Sequence, residues 1–194
     1  MKKIPSLFKR DWEKDSSLIT KEVNPECLWV IEGKGTPTEK LDGTACLIKD
    51  GMLYKRYDRK KYAKGVNKGK YKQSPNGWFP CQEPDEITGH WPGWLPVDFS
   101  DPNNKWHKEA WEKCQNPRDG TYELIGPKIE KNPYNLAFHK LIEHGSIILD
   151  CNARDYESLK SFLSNNLIEG IVWHGPDGKM AKIKRTDFGF TWPV

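Results

Sequence analysis

Thr38-Glu39-Lys40-Leu41-Asp42-Gly43-Thr44 places a lysine beside two carboxylates, then a glycine and a threonine, between the apolar runs Leu28–Ile31 and Ala45–Ile48. An ammonium group set among strands loses solvation, and nearby cations make its proton easier to lose, so a lysine in such surroundings becomes a nucleophile. Asp42 stands two residues past Lys40, which on a strand puts both on one face. Gly43 lets the backbone turn or come close to a ligand. Alone, a Lys-x-Asp-Gly tetrapeptide is usually a solvated turn. Its meaning here depends on the chain around it.

Upstream, residues 1–26 carry mixed charge and little periodicity and read as an irregular or partly helical lead-in. Residues 27–33 read as a strand, and Gly33–Pro37 as a loop that delivers Glu39 and Lys40. Downstream, Thr44–Lys49 and Met52–Tyr57 form a hairpin joined by Asp50-Gly51, a type I′ turn signal. The second strand ends in Lys55-Arg56-Tyr57-Asp58, which brings one of its cations near Lys40 on a neighbouring strand.

Residues 60–118 differ in texture, being rich in Gly, Pro, Asn, Trp and Lys. A long stretch without periodicity is functional or disordered. Its aromatic and proline content argues for an ordered, packed insertion, with stacking on nucleobases as the functional alternative. Between Lys55 and Lys72 there are nine Lys or Arg residues and one acid, Asp58. That density fits a solvated basic face or a phosphate-backbone footprint, with Lys64, Lys68 and Lys70 as the candidate RNA contacts. Cys81, His90, His107 and Cys114 lack the close Cys-x-x-Cys spacing of structural zinc sites.

Gly120–Gly126 reads as a strand with Glu123 at its centre, and residues 134–144 as a short amphipathic helix. His139 and His144 are five apart and read as structural. Ser146–Asp150 is a further strand. Residues 155–164 form a helix capped by Asn152 or Asp155. Residues 168–173 are a strand, Gly175–Gly178 a turn and Lys179–Arg185 the returning strand. Lys182 and Lys184, two apart, project from the same face.

A chain of 194 residues with 36% hydrophobic and 30% charged residues suits one domain, 1–194. It has no apolar run of 18 residues, so no membrane span is expected, and Met1-Lys2-Lys3-Ile4-Pro5 lacks the apolar core of a signal peptide. Five cysteines without close pairs favour reduced thiols and a cytoplasmic, intracellular setting.

Taken in order, Lys40 with Asp42, the hairpin cation, Glu123, Glu169-Gly170 and the twin lysines form a set more specific than any member. It resembles the covalent nucleotidyltransferase superfamily of polynucleotide ligases and capping enzymes. Lys40-Leu41-Asp42-Gly43 matches the nucleotidyl motif and Glu123 in Tyr-Glu-Leu-Ile-Gly the third motif. Ile168-Glu169-Gly170-Ile171-Val172 matches the fourth, and Ala181-Lys182-Ile183-Lys184 the fifth. Asp58-Arg59-Lys60, His90-x-Pro92-Gly93-Trp94-x-Pro96-Val97, Asn132-Pro133-Tyr134 and Glu169–His174 are similar to the vertebrate-type ATP-dependent 5′-to-3′ RNA ligase family, from about residue 27 to Pro193. The sequence departs from it where Lys184 replaces a histidine, and in stopping soon after the fifth motif. Ala45 stands where phage-type RNA ligases often carry a polar residue.

The resemblance implies an α+β nucleotidyltransferase domain of antiparallel sheets flanked by short helices, without an OB domain. It implies an ATP-dependent RNA ligase, monomeric, that joins RNA 5′-phosphate and 3′-hydroxyl ends through a lysyl-AMP on Lys40 and an adenylated RNA. In that reading Glu39, Leu41 and Asp42 line the nucleotide, and Lys182 and Lys184 hold the α-phosphate. Glu123 accepts from a ribose hydroxyl, and Arg56 contacts ribose or phosphate. Ile147 or Leu149 covers the adenine, and Glu169 with Asp42 holds Mg²⁺ or Mn²⁺. The alternatives are an mRNA guanylyltransferase or a nick-sealing DNA ligase, both of which carry an OB domain, and a non-catalytic RNA-binding module.

Overall fold

The computed structural model describes residues 3–86 and 88–193. They divide into two compact units: a three-stranded unit, Lys3–Asp42 with the chain from Gly145 onward, and a six-stranded unit, Gly43–His144. Both are built on antiparallel sheets with few short helices, an α+β architecture.

In the three-stranded unit, β1 (Phe8–Asp11) and β2 (Asp15–Val23) pair with each other. The lead-in is therefore largely strand, not irregular or helical. Residues just before it lie along another strand: Leu7 N donates to Lys182 O at 2.8 Å and Lys182 N to Pro5 O at 3.0 Å. Leu7 and Phe8 are fully buried, a gain of roughly 1.5–3 kcal/mol each, which anchors an otherwise polar segment that periodicity could not detect.

Residues 27–33 correct a second expectation, since they hold a helical turn and not a strand. A 3₁₀ turn, Pro25–Cys27, leads into α1 (Leu28–Ile31), and the Asn24 side chain accepts from Glu26 N. Cys27 and Val30 are buried while Leu28 and Ile31 are exposed. That spacing of three is helical, and an Asn cap followed by proline is a helix start.

After a loop at residues 32–35, β3 (Thr36–Lys40) takes up Thr36 and Pro37, the last two residues of the expected loop, and pairs with β10 (Gly170–His174), which pairs in turn with β11 (Met180–Lys184). Ile171, Trp173, Ala181 and Ile183 are buried in the core on one face. Strand alternation puts Thr38, Lys40, Val172, Lys182 and Lys184 on the other. α3 (Tyr156–Asn165) buries Leu159 and Leu163 in the same core, and Asp155 caps it by accepting from Glu157 N and Ser158 N. Residues 146–150 do not form the expected strand. A single bridge, Thr38↔Ile148, and bonds from Glu39 N to Ile147 O and from Leu149 N to Pro37 O lay them along β3.

The six-stranded sheet runs β6 (Phe79–Pro80), β7 (His90–Pro96), β5 (Met52–Lys60), β4 (Thr44–Lys49), β8 (Gly120–Ile125), β9 (Lys140–Glu143). The 44–57 hairpin forms as expected, with left-handed Asp50 and Gly51 at its turn. Cys46, Ile48, Leu53, Tyr122 and Leu124 pack with Ala110 of α2 (Lys105–Glu112). Residues 134–144 form no helix. Asn132 bonds both N and O of Leu136, Asn132 and Asn135 adopt left-handed backbone, and the chain then pairs as β9 with β8. Asparagine turn chemistry prevails over the apolar spacing.

The described residues of the 60–118 stretch include paired strands, a helix and packed aromatic rings. β7 pairs with β5 along seven residues, Tyr54↔Pro96 to Lys60↔His90. Arg59 lies over Trp78 and Trp91, 4.8 and 4.9 Å from their ring centroids, and donates to Lys72 O. Among the described residues no helix is long and apolar enough to cross a membrane, and all five cysteines are free.

Candidate functional site

β3 ends at Lys40, whose register partner is Gly170. On the other side of β10, Gly170 pairs with Lys184. Lys40, Gly170 and Lys184 thus form one row across the sheet, with Lys182 two residues along on the same face. Gly170 has to be glycine, because a Cβ there would stand 2.2 Å from Ile183 O and 2.9 Å from Lys184 Cα.

Glu169, just ahead of β10, lies 2.5 Å from Lys40 Nζ through its Oε2 and is 7% exposed. Burial pushes its pKa up to about 7, opposed by Lys40, and the nearby charge of Asp42 raises it further. Lys182 is pushed down to about 8, first by burial and then by the charges of Lys40 and Lys184. Three lysines and a buried glutamate therefore share one face, with the titrations of Glu169 and Lys182 moved toward neutrality, as at sites that handle anions or protons.

Asp42 lies past the end of β3, so it does not continue Lys40's strand face as expected. Its Oδ2 accepts from Trp192 Nε1 at 2.9 Å, and its charge acts on Glu169. Leu41 is buried and its carbonyl accepts from Lys40 Nζ at 3.4 Å. Glu39 pairs with Ile171, on the face opposite Lys40, and burial raises its carboxyl pKa. Ile147, 39% exposed, lies beside the Glu39 backbone, not on a strand following a helix. Lys184 N donates to Asp187 Oδ2, and Asp187 also pairs with Arg10. Sequence spacing pointed to neither Trp192 nor Asp187.

In the six-stranded unit, Glu123 is buried on β8, paired with Ala45 and Ile142. Its Oε2 lies 2.8 Å from His144 Nε2. Carrying the β4–β5 register one step past Cys46↔Lys55 aligns Ala45 with Arg56, so Arg56, Ala45 and Glu123 share a face. Lys55 is on the opposite face, where it donates to Asn104 Oδ1. Arg56 Nε donates to Asp58 at 2.7 Å. The hairpin that carries Arg56 is hydrogen-bonded to β7 and β8, while β3 belongs to another sheet, so the two are not neighbouring strands as expected. The break at Leu41-Asp42-Gly43 separates the sheets. Gly43 itself allows close backbone approach, because a Cβ there would meet Leu124 O at 2.3 Å.

Lys64, Lys68 and Lys70 are exposed on a tight finger beyond β5. Tyr62 N bonds to Lys70 O, Gly69 N bonds to Tyr62 O, and Gly65 and Gly69 take left-handed backbone. Trp78, Trp91 and Tyr71 pack against one another and Arg59 at its base, which supports packing over base stacking for these rings. No three His, Cys, Asp or Glu among the described residues cluster as metal ligands.

The family described as RNA ligase 1 matches residues 112–194. A protein named RNA ligase 1 from Pongo abelii is 28% identical over 250 aligned residues, covering 96% of this chain and 77% of the relative. One of the same name from Danio rerio is 28% identical over 267 residues, covering 99% of this chain and 82% of the relative, and the Rattus norvegicus protein is also 28% identical. These matches support kinship with an RNA ligase family, the kind of protein that the ordered motifs of this chain resemble.

Proposed function

We propose that this protein is an ATP-dependent RNA ligase with a nucleotidyltransferase fold, acting on RNA with 5′-phosphate and 3′-hydroxyl ends. The observation that carries the reading is the Lys40–Glu169 pair set in one face with Lys182 and Lys184.

Lys40 Nζ attacks the α-phosphorus of ATP. An N–P bond forms, the α–β bridging P–O bond breaks, and pyrophosphate leaves. An RNA 5′-phosphate oxygen then attacks the lysyl-AMP and frees Lys40. Finally an RNA 3′-hydroxyl attacks the activated 5′-phosphate, AMP leaves and the phosphodiester is closed. Lys182 and Lys184 offset the charge that develops on the α-phosphate. Glu123 accepts from a ribose hydroxyl and Arg56 contacts ribose or phosphate. Leu41 and Ile147 lie along the nucleotide, with Glu39 contributing through its backbone, since its side chain is on the face opposite Lys40.

Glu169 and Asp42 are the carboxylates suited to Mg²⁺ or Mn²⁺. They are near enough for one charge to act on the other, and two carboxylates with waters and phosphate oxygens meet the needs of a small hard cation. When bound, the ion offsets phosphate charge. Lys64, Lys68 and Lys70 contact RNA phosphates.

An intact mass after incubation with Mg²⁺ and either ATP or GTP tests this reading. Gain of one AMP is expected. Gain of GMP instead would make the protein a guanylyltransferase, and no gain would leave an RNA-binding module.

A further inference from the structure

Asp42 stands past the end of β3, outside the regular ladder of the sheet. A side-chain bond fixes its carboxylate: Trp192 Nε1 donates to Oδ2 at 2.9 Å, across 150 positions of chain. The donor comes from the segment that follows the twin-lysine strand, within the same unit.

That segment is tied down on its way. A 3₁₀ turn, Arg185–Phe188, ends at Gly189, whose left-handed backbone (φ 81°) sends the chain back. Arg185, next to Lys184, is 8% exposed and clasps the returning residues. Its Nε donates to Thr191 O at 3.1 Å, and its guanidinium lies 5.3 Å from the Phe190 ring centroid. Its Nη1 donates to Asn166 O at 3.0 Å, just past α3. A buried guanidinium must spend its donors on such acceptors, so residues 190–192 form a strap held at a fixed place. The Trp192 ring is only half-buried, so solvation alone would serve its N–H, yet the strap aims it at a carboxylate.

A carboxylate has about four lone-pair sites. One indole N–H takes one of them and leaves others to face an ion. Carboxylates that hold metal ions are themselves hydrogen-bonded, and that outer bond sets the direction in which they meet the ion.

We infer that Trp192 is a positioning residue, its indole N–H fixing the Asp42 carboxylate in the orientation that meets the divalent ion. This rests on the ATP-dependent reading above. Through Arg185 the same strap links the strand of Lys182 and Lys184 to the residue two places after Lys40. A strap that only closes the end of the fold would need the ring and not the N–H.

Trp192→Phe keeps the ring and removes the donor, so the test compares it with wild type in two ways. The first is AMP adduct formation, by intact mass, against Mg²⁺ concentration. The variant should need roughly tenfold more Mg²⁺ for its half-maximal rate, the lower end of what loss of such an outer bond costs. Its melting temperature and its rate at saturating Mg²⁺ should stay near wild type. The second is the indole N–H region of the ¹H–¹⁵N spectrum, where the resonance missing in Trp192→Phe belongs to Trp192. Asp42→Ala should move that resonance, and traces of paramagnetic Mn²⁺ should broaden it more than the other indole resonances. An Mg²⁺ requirement equal to that of wild type overturns the inference, and so does an indole resonance indifferent to Asp42→Ala and to Mn²⁺. Wild type that forms no AMP adduct overturns the ligase reading itself, and the indole resonance then decides the role of Trp192 on its own.

Discussion

Lys40 and Lys184 are register partners of the same residue, Gly170, one on each side of β10. The row sets two cations on one sheet face, with a glycine between them whose missing side chain lets the β11 backbone come close. Gly170→Ala puts a methyl group 2.2 Å from Ile183 O, and backbone, unlike a flexible side chain, cannot swing aside. The variant should lose about 1–3 kcal/mol, lowering the melting temperature by roughly 2–4 °C per kcal/mol for a chain of this size. It should also form less AMP adduct, because β11 must shift. A melting curve matching wild type would show that the three strands are not packed this closely.

The titrations of Glu169 and Lys182 predict a bell-shaped pH profile for adduct formation. Glu169, raised to about 7, is ionised only above that pH, so activity that needs its charge rises through about 7. Lys182, lowered to about 8, is charged only below that pH, so activity that needs its charge falls above about 8. The optimum in kcat/KM, which reports the free protein, should lie between them, each limb belonging to the coupled cluster as a whole. Lys182→Arg keeps its proton at high pH and should carry the alkaline limb upward. If that limb stays in place in the variant, another group sets it.

The residues proposed to carry this chemistry are legible because their identities and order need no coordinates: Lys40, Glu123, Glu169, Lys182 and Lys184 stand out by type and spacing. The Asp50-Gly51 hairpin was legible for a similar reason, since few residues tolerate its backbone. Cys27–Gly33 misled because a run of four apolar residues has no period of its own, and the Asn24-Pro25 start decides it. Leu136 to Ile142 did show a helical spacing, and asparagine turns with the open edge of β8 overrode it. His144 reads as structural from its spacing because its link to Glu123 arises from strand register, which no spacing in the sequence records. The faces of Asp42 and Arg56 likewise follow from where β3 stops and how β4 pairs.

The basic finger predicts a salt-dependent RNA affinity. Lys64, Lys68 and Lys70 are exposed, while the rings at the finger's base are taken up by Arg59 and by one another. Binding should therefore be to phosphates and weakly dependent on base sequence. Neutralising all three lysines should reduce the slope of log affinity against log salt by about two for single-stranded RNA. An unchanged slope, measured by fluorescence anisotropy, would place the RNA elsewhere.

The final prediction separates the two members of the Lys40–Glu169 pair. On the proposed mechanism Lys40 takes AMP from ATP, so Lys40→Ala should form no adduct while remaining folded. Sealing does not need that amine, since by then AMP is already on the RNA 5′-phosphate and the attacking atom is a 3′-hydroxyl. What sealing needs is charge stabilisation at the phosphate, from Lys182, Lys184 and the groups that Glu169 orients. Lys40→Ala should therefore still join RNA supplied with a pre-formed 5′-adenylate, in Mg²⁺ without ATP. Glu169→Ala should lose roughly a hundredfold or more on the same substrate, the scale seen when a preorganised electrostatic contact is removed. Removing the carboxylate also leaves Lys40, 22% exposed in its side chain, without the partner 2.5 Å away, so Glu169→Gln, which keeps the size and a hydrogen bond, should lose less in stability than in sealing. The two residues are best compared side by side on adenylated RNA. Sealing by Glu169→Ala together with failure of Lys40→Ala would reverse the roles assigned to them.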